Sequence, residues 1–189
     1  MAVLDAYLRP GMTVLDAGCG SEFFMGYFAA RGCEVCALDY SEAALDLARR
    51  HGEQVAGYLH ADLRDPGCAQ RLAGRFELVF SDGLLEHFLP DPQRTVLRHL
   101  AFMLRPKAVV VTVVPNRFTP WTLLRPFYMP GIREIPFTCW RLRRLYAEAH
   151  LSILDSGGLN ITSTRLSPDR VLGAYVGMLL YCVGRREEA

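Results

Sequence analysis

The chain has 189 residues and a mass of 21.2 kDa, which is the size of one domain. Apolar residues make up 51% of the sequence and charged residues 22%, a balance that excludes a disordered, highly charged tail protein. The net charge of +1 predicts no nucleic-acid partner, because proteins that bind nucleic acid carry a marked basic excess.

The sequence shows no pattern typical of export or of a membrane span. Its longest nearly uncharged run, 171–183, is too short for a helix that crosses a bilayer. The first ten residues include Asp5 and Arg9 and lack the basic and then apolar order of a signal peptide. Most of the six cysteines lie in apolar stretches, as expected for buried thiols in a reducing compartment. These features predict a cytoplasmic protein without a transmembrane segment.

Short apolar runs alternate with amphipathic segments over the first 114 residues. Asp65-Pro66 and Asp91-Pro92 each combine a helix cap with a proline at the first helical position. The β-branched run 108–114 is typical of a strand buried on both faces. This order predicts a parallel sheet with helices on both faces. The predicted strands are 12–17, 33–38, 55–60, 76–80 and 108–114, and the predicted helices are 22–30, 41–50, 66–72 and 92–104.

The rest of the chain begins with an irregular, proline-containing stretch, 115–137. A helix is predicted from Thr138 to His150. Two strands are predicted to close the chain and to run antiparallel to each other: Leu151–Leu166, interrupted at Gly157-Gly158, and Tyr175–Gly184.

Glycines follow the first predicted strand, in the stretch Val14–Gly20. Glycines at this tip let a ligand approach the backbone, and ligands of such sheets bind at the carboxyl ends of the strands. A nicotinamide dinucleotide is disfavoured, because Phe23 stands where its G-x-G-x-x-G fingerprint needs a small residue. Asp16 would also repel a pyrophosphate. A cationic ligand such as S-adenosylmethionine, whose sulfonium and ammonium outweigh its carboxylate, suits Asp16 better.

Two further acids follow the next two predicted strands. Asp39 falls at the tip of the second, where a carboxylate can accept hydrogen bonds from both hydroxyls of a ribose. Asp62 follows the third, where it can accept from an adenine amino group. Any one of these acids could be a solvated turn or a helix cap. Three in this order favour a site for a nucleoside with a positively charged tail.

Five stretches of the chain match the motifs of one known family, in that family's order and spacing. They are Val14–Gly20 (VLDAGCG), Ala37–Arg49 (ALDYSEAALDLAR), His60–Leu63 (HADL), Phe76–Phe88 (FELVFSDGLLEHF) and Leu104–Asn116 (LRPKAVVVTVVPN). In these stretches the chain resembles the class I S-adenosylmethionine-dependent methyltransferases of the small-molecule, type 11 kind. The resemblance implies an α/β, Rossmann-like three-layer sandwich. Its sheet would have seven mostly parallel strands and an antiparallel terminal hairpin.

The resemblance also divides the chain. It implies a single methyltransferase domain, 1–189, that uses S-adenosyl-L-methionine as its cofactor. The cofactor-binding core would be 12–116, and the terminal strands would lie within 151–184.

The methionine end of the cofactor is assigned by this resemblance to four residues. The acid and the glycines of the first motif, here Asp16, Gly18 and Gly20, would hold it. Ser81, at the end of the fourth strand in the family's pattern, would lie near it.

The nucleoside end is assigned in the same way. Asp39 would bind the ribose, and Tyr40 would stack near the adenine. Asp62 and the backbone of Leu63 would read the adenine.

Glu22 departs from the family pattern, since it stands where a third glycine is usual. It could begin the helix as a favourable acid of the first turn, reach the ammonium of the ligand, or crowd the pocket and weaken binding. Pro106-Lys107-Ala108 replaces the usual Pro-Gly-Gly turn, a change expected to alter only the local geometry.

Glu86-His87 is the candidate catalytic pair, in the loop after the fourth strand. Methyl transfer needs alignment above all, and it needs a base only where the acceptor must lose a proton. An imidazole can accept that proton at neutral pH. The alternative is that the pair is a structural signature that begins a helical turn and packs against the ligand.

The segment 115–150 combines arginines with aromatic residues and carries a net charge of +4. As a lid over the substrate, it would suit an anionic or amphiphilic small molecule. The alternatives are a membrane-surface role, or ordinary packing beside a solvated basic helix face that carries Arg141, Arg143 and Arg144.

No metal site is predicted. Cys33-x-x-Cys36 has the spacing of a metal-binding pair, but residues three apart in a strand point to opposite faces. The sequence thus predicts an enzyme that methylates a small molecule. The alternative is a degenerate methyltransferase-like protein that binds or scaffolds without activity.

Overall fold

A computed structural model describes residues 2–20, 24–51, 55–119, 122, 134–160 and 169–187. The strands are β1 Thr13–Ala17, β2 Glu34–Asp39, β3 Gly57–His60, β4 Phe76–Asp82, β5 Leu104–Pro115, β6 Leu151–Leu159 and β7 Leu179–Arg186. The α-helices are α1 Ala2–Asp5, α2 Met25–Ala29, α3 Glu42–His51, α4 Pro66–Arg71, α5 Pro90–Met103, α6 Cys139–Glu148 and α7 Asp169–Val176. A 3₁₀ turn, Leu85–His87, lies between β4 and α5. None of the helices in these ranges is long and apolar enough to cross a membrane.

The seven strands form one sheet in the order β3-β2-β1-β4-β5-β7-β6. The first five are parallel, and β7 pairs antiparallel with both β5 and β6. This topology confirms the predicted mostly parallel sheet with its antiparallel terminal hairpin. Parallel strands present their carboxyl ends at one edge, and that edge carries the candidate site.

Apolar side chains alternate between the two faces of the sheet and build two buried cores. Leu15 and Val79 lie in the core that α4, α5 and α6 cover. Val14 and Phe80 lie in the core that α1, α2 and α3 cover. The central strands β1, β4 and β5 are thus buried on both faces over most of their length, as the β-branched run 108–114 predicts for β5.

Two of the predicted helix starts are confirmed by their caps. The Asp65 carboxylate accepts hydrogen bonds from the backbone N–H groups of Gly67 and Cys68. The Thr138 hydroxyl accepts one from the N–H of Arg141. Both side chains satisfy amide groups that the first turn of a helix leaves without a partner.

The predicted start of α5 at the Asp91-Pro92 pair is wrong by two residues. Pro90 is the first helical residue, and Leu89 before it has extended backbone and no capping side chain. The Asp91 carboxylate instead lies within the first turn, where it faces the positive end of the helix dipole.

The predictions for the terminal strands need correction at two points. β6 continues through Gly157-Gly158 and is described to Leu159, whereas 161–168 lie outside the described residues. Tyr175 belongs to α7, and β7 begins only at Leu179. The glycine pair does not break the strand. Gly158 instead lets α7 pack closely on β6, because a Cβ there would lie 1.8 Å from the carbonyl oxygen of Gly173.

Candidate functional site

A cavity of about 520 Å³ opens at the carboxyl ends of β1 to β4. Its volume is in the range of small-molecule sites. Seven of the residues that the sequence assigned to the site line this cavity together: Gly18, Gly20, Asp39, Tyr40, Asp62, Leu63 and His87.

The glycine loop after β1 is held against the tip of β2. The N–H of Gly18 donates to the carbonyl oxygen of Leu38 at 2.7 Å. The N–H of Gly20 donates to Asp39 Oδ2 at 3.0 Å, while Asp39 Oδ1 accepts from the N–H of Ser41 at 2.8 Å. Each carboxylate oxygen retains a second acceptor direction, so Asp39 can still accept from the hydroxyls of a ligand.

Gly18 has a structural reason to be glycine. Its φ of +72° is in the left-handed region, and a Cβ there would lie 2.7 Å from Leu84 Cδ1. The side chain of Leu84 thus packs directly over the loop on the cavity wall. A substitution here would combine backbone strain with a clash in the site.

The far end of the cavity offers an aromatic face and a paired carboxylate. The Tyr40 side chain is 75% exposed and forms part of the wall, so its ring is open to stacking. The Asp62 carboxylate forms an ion pair with the Arg64 guanidinium. Arg64 Nε lies 3.0 Å from both carboxylate oxygens, and Arg64 Nη2 lies 2.6 Å from Oδ2. Hydrogen bonds from the Arg64 side chain hold the pKa of Asp62 below its usual value, so at neutral pH this acid is ionised and both of its oxygens act as acceptors.

Asp16 is a buried acid near the end of β1, with 3% of its surface exposed. Burial, reinforced by the negative charges of Asp82 and Asp39, raises its pKa to about 7. No hydrogen bond or ion pair reaches its carboxylate from the part of the chain that the structure describes. A buried carboxylate without a counter-charge is costly, and a cationic ligand would relieve that cost.

Asp82 was not predicted as a site residue. It follows Phe80 by two residues, so it projects from the same face of the sheet as Phe80 and as Asp16, which pairs with Phe80. It is half-buried, and burial raises its pKa to about 6. The signal was available in the sequence: the motif FSDG places an acid two residues beyond an apolar strand position.

Two predicted cofactor residues, Asp16 and Ser81, do not line this cavity, and the Ser81 hydroxyl bonds to another strand. β4 runs to Asp82, so Ser81 lies inside the strand and not after it. Its hydroxyl is fully buried and donates to Thr112 Oγ1 of β5 at 3.3 Å. Because neighbouring residues of a strand face opposite ways, Ser81 points away from the face that carries Asp16 and Asp82.

Both residues of the candidate catalytic pair lie in the 3₁₀ turn, but only one of them lines the cavity. The His87 side chain is exposed and lines the cavity. The Glu86 side chain is 2% exposed and does not line it, and the Glu86 carbonyl oxygen accepts from the N–H of Ile135 at 2.8 Å. This placement favours the structural interpretation for Glu86.

The segment 115–150 is only partly described. Residues 120–121 and 123–133, which include Trp121 and Tyr128, lie outside the described part, as do Glu22 and Phe23 of the glycine loop. Its last third is α6, which packs on α5 and β6 as a member of the helical layer.

The arginines of α6 have structural partners. Arg141 donates to Gln93 Oε1 at 2.6 Å, and burial and the charge of Arg117 lower its pKa. Arg144 pairs with Glu148 at 2.8 Å, and Arg143 donates to the Ser156 hydroxyl at 2.6 Å. These contacts fit the packing alternative for this helix.

The CxxC spacing forms no metal site within the described ranges. Cys33 lies in the core on one face of the sheet, and Cys36 packs against the core on the other. No cluster of three or more histidine, cysteine or acidic side chains suited to a metal ion occurs among the residues described.

Comparisons with known proteins agree with this geometry. A ubiquinone biosynthesis O-methyltransferase of Coxiella burnetii is 34% identical over 107 residues, which are 57% of this chain and 45% of the relative. The chain therefore spans less than half the length of that relative.

Two solved structures share the fold. The 1,6-didemethyltoxoflavin-N1-methyltransferase of Burkholderia thailandensis, solved with its substrate and S-adenosylhomocysteine, matches with a TM-score of 0.67 and 25% identity, over 99% of this chain and 76% of that one. An S-adenosylmethionine-dependent methyltransferase of Methanosarcina mazei matches with a TM-score of 0.77 and 16% identity, over 100% of this chain and 99% of that one.

The family model for the methyltransferase domain matches residues 2–160, which is most of the chain. The matched range includes β1 to β6 and every residue of the cavity wall. The chain belongs to the methyltransferase domain family.

Proposed function

We propose that this protein transfers a methyl group from S-adenosylmethionine to a small-molecule acceptor. The observation that carries the proposal is the row of acids, Asp62, Asp39 and Asp16, near the carboxyl ends of three neighbouring strands. Asp62 and Asp39 line one cavity, and Asp16 is buried behind it in β1. A nucleoside with a cationic tail is the ligand that this row suits. The two O- and N-methyltransferase relatives, whose names specify small-molecule acceptors, support it.

Each of the site residues contacts a different part of the cofactor. Asp39 accepts from the ribose hydroxyls with the lone pairs that Gly20 and Ser41 leave open. Tyr40 stacks on the adenine, and Asp62, oriented by Arg64, accepts from its amino group. Asp16 faces the positive charge of the methionine end. When bound, S-adenosylmethionine supplies an activated methyl group, so the protein's main task is alignment.

Binding is tested by calorimetry with S-adenosylmethionine, S-adenosylhomocysteine and NAD at about pH 7.5. We expect both adenosyl ligands to bind with a Kd on the order of 1–100 μM and NAD not to bind. Binding of NAD alone would instead favour an oxidoreductase.

Activity is tested with methyl-labelled S-adenosylmethionine and a panel of catechols, phenols and heteroaromatic amines. Label transferred to one class of acceptor is the expected result. Tight cofactor binding without transfer to any acceptor, with a related active methyltransferase as the positive control, would favour the degenerate binding protein.

A further inference from the structure

A second cavity opens at the opposite edge of the sheet, where the parallel strands begin. Its volume is about 360 Å³, which is within the range of small-molecule sites. Its wall is formed by the segment between α1 and β1, the start of β4, the first residues of β5 and the end of β7. We call it the amino-edge cavity. A strand of five residues, about 16 Å long, separates it from the cavity at the carboxyl ends.

The wall of the amino-edge cavity is strongly basic. Its charged residues are Arg9, Arg105, Lys107 and Arg185, against one acid, Glu77. This surplus of three positive charges contrasts with the net charge of +1 of the whole chain. Cations arranged around one concave wall repel one another, and an anion in the cavity would relieve that repulsion.

The one acid of this wall does not neutralise it. Glu77 Oε2 accepts a hydrogen bond from the N–H of Thr13 at 3.1 Å and lies 3.4 Å from Arg105 Nη1. Among the residues that the structure describes, none forms an ion pair or a hydrogen bond with the guanidinium groups of Arg9 and Arg185. A guanidinium group can donate two parallel N–H···O bonds to one phosphate group, so both arginines suit a phosphate ligand.

Lys107 reaches this wall from a backbone conformation that favours glycine. Its φ is 65°, in the left-handed region, and it stands where the resembling family usually has the first glycine of a Pro-Gly-Gly turn. Glycine would adopt this conformation without strain, so the presence of the only lysine in the chain indicates a use for its side chain. That side chain lines the amino-edge cavity.

Tyr7 adds a hydroxyl group to the same wall. Burial and the negative charge of Asp155 raise the pKa of Tyr7, so its phenol keeps the proton that it can donate to an anion. Asp155 is not part of the wall, and its carboxylate accepts a hydrogen bond from the Tyr181 hydroxyl at 3.1 Å.

We propose that the amino-edge cavity binds the di- or triphosphate group of a small molecule. Such a group carries several negative charges on closely spaced oxygens, which complements the surplus of cations and the two arginine side chains. The volume suits a compact ligand. The low net charge of the chain gives little long-range attraction for an extended polyanion such as a nucleic acid.

The test uses inorganic tripolyphosphate and pyrophosphate as probes, in calorimetry at about 0.15 M NaCl, where salt screens weak surface attraction. We expect tripolyphosphate to bind with a Kd on the order of 10–100 μM and inorganic phosphate to bind at least tenfold more weakly. The double variant Arg9→Gln, Arg185→Gln should bind tripolyphosphate at least tenfold more weakly than wild type. Its Kd for S-adenosylhomocysteine should change less than about threefold, because that ligand binds at the other edge.

Lys107→Gly separates the loss of charge from damage to the fold. Glycine relieves the backbone at this position, so the Tm should stay the same or rise, while the affinity for tripolyphosphate falls at least threefold. Arg117→Gln is the matched control, since it removes an exposed arginine beyond the other end of β5. It should keep the wild-type affinity for tripolyphosphate.

Three results would overturn the proposal. The first is wild-type protein that does not bind tripolyphosphate at this salt concentration. The second is an equal loss of affinity in Arg117→Gln and in the cavity variants, which would mean diffuse attraction to surface charge. The third is tighter binding of a single-stranded oligonucleotide or of phosphatidylglycerol vesicles that the cavity variants abolish, which would assign the wall to a nucleic acid or to a lipid surface.

Discussion

The Asp16 carboxyl group combines 3% exposure with two nearby acids, so its ionisation is opposed by burial and by like charge. Its pKa of about 7 in the ligand-free protein is above the 3.8 of an unperturbed aspartic acid. Such a group stabilises the folded state fully at low pH, and this contribution is lost as the pH rises through about 7. The site thus costs stability at neutral pH.

Asp16→Asn should relieve that cost. We expect the free energy of unfolding to rise by on the order of 1–3 kcal/mol relative to wild type at about pH 8, with no comparable gain at about pH 4. Urea denaturation at the two pH values measures it. The same variant should bind S-adenosylmethionine at least tenfold more weakly. A variant that is no more stable at high pH would show that Asp16 ionises without penalty.

Asp39 joins the glycine loop to β2 through the N–H groups of Gly20 and Ser41. Asp39→Ala removes both contacts and the ribose acceptor, so the affinity for S-adenosylhomocysteine should fall at least 30-fold, or about 2 kcal/mol. Calorimetry measures the Kd. Asp46→Ala, which deletes a surface partner of Arg49, is the matched control and should leave the Kd unchanged. Equal affinities for S-adenosylhomocysteine in the two variants would show that Asp39 does not bind the ribose.

At the scale of elements, α7 packs against β6 with the two backbones in direct contact. Gly158 and Gly173 let the two backbones meet, since a Cβ on Gly158 would lie 1.8 Å from the Gly173 carbonyl oxygen. The order of residues predicts a strand break at Gly157-Gly158, because glycine is a turn signal along a single chain. Only the position of α7 in the structure shows that Gly158 allows close packing of the helix on the strand.

Gly158→Ala should therefore be strongly destabilising. We expect a loss of about 2 kcal/mol or more in the free energy of unfolding, because backbone atoms of two elements must separate. Gly57→Ala is the control: nothing lies within 4 Å of a Cβ there, so its effect should be within about 1 kcal/mol. Thermal and urea melts compare the two. Similar stabilities would mean that α7 can move away from β6 at little cost.

At the scale of the whole molecule, the cofactor would bind across the ends of β1, β2 and β3 and thus tie the glycine loop to three strands. A ligand that binds only the folded state stabilises it by about 2.7 kcal/mol at 100 times its Kd. For a domain of this size the Tm should rise by about 5–10 °C. Scanning fluorimetry with S-adenosylhomocysteine measures the shift, and Asp39→Ala at the same concentration is the control. An unchanged Tm at saturation would contradict the proposed site.

The sequence by itself determined the sheet, its parallel part and the acids at its edge. Alternating apolar runs and helix signals depend on local spacing, and so do the glycine loop and the positions of Asp39 and Asp62 after their strands. Tyr40 and Leu63 were expected in the site only from the family resemblance, and both line the cavity.

Only the tertiary structure decided where β4 ends and which way its last residues face. Pairing with β5 extends β4 to Asp82, which turns Ser81 toward Thr112 and places Asp82 on the face of Asp16. Burial of Asp16 and its coupling to Asp82 and Asp39 also exist only after the strands are side by side. A residue's own sequence neighbours do not specify the strand that will lie beside it, and that strand decides its exposure, charge and orientation.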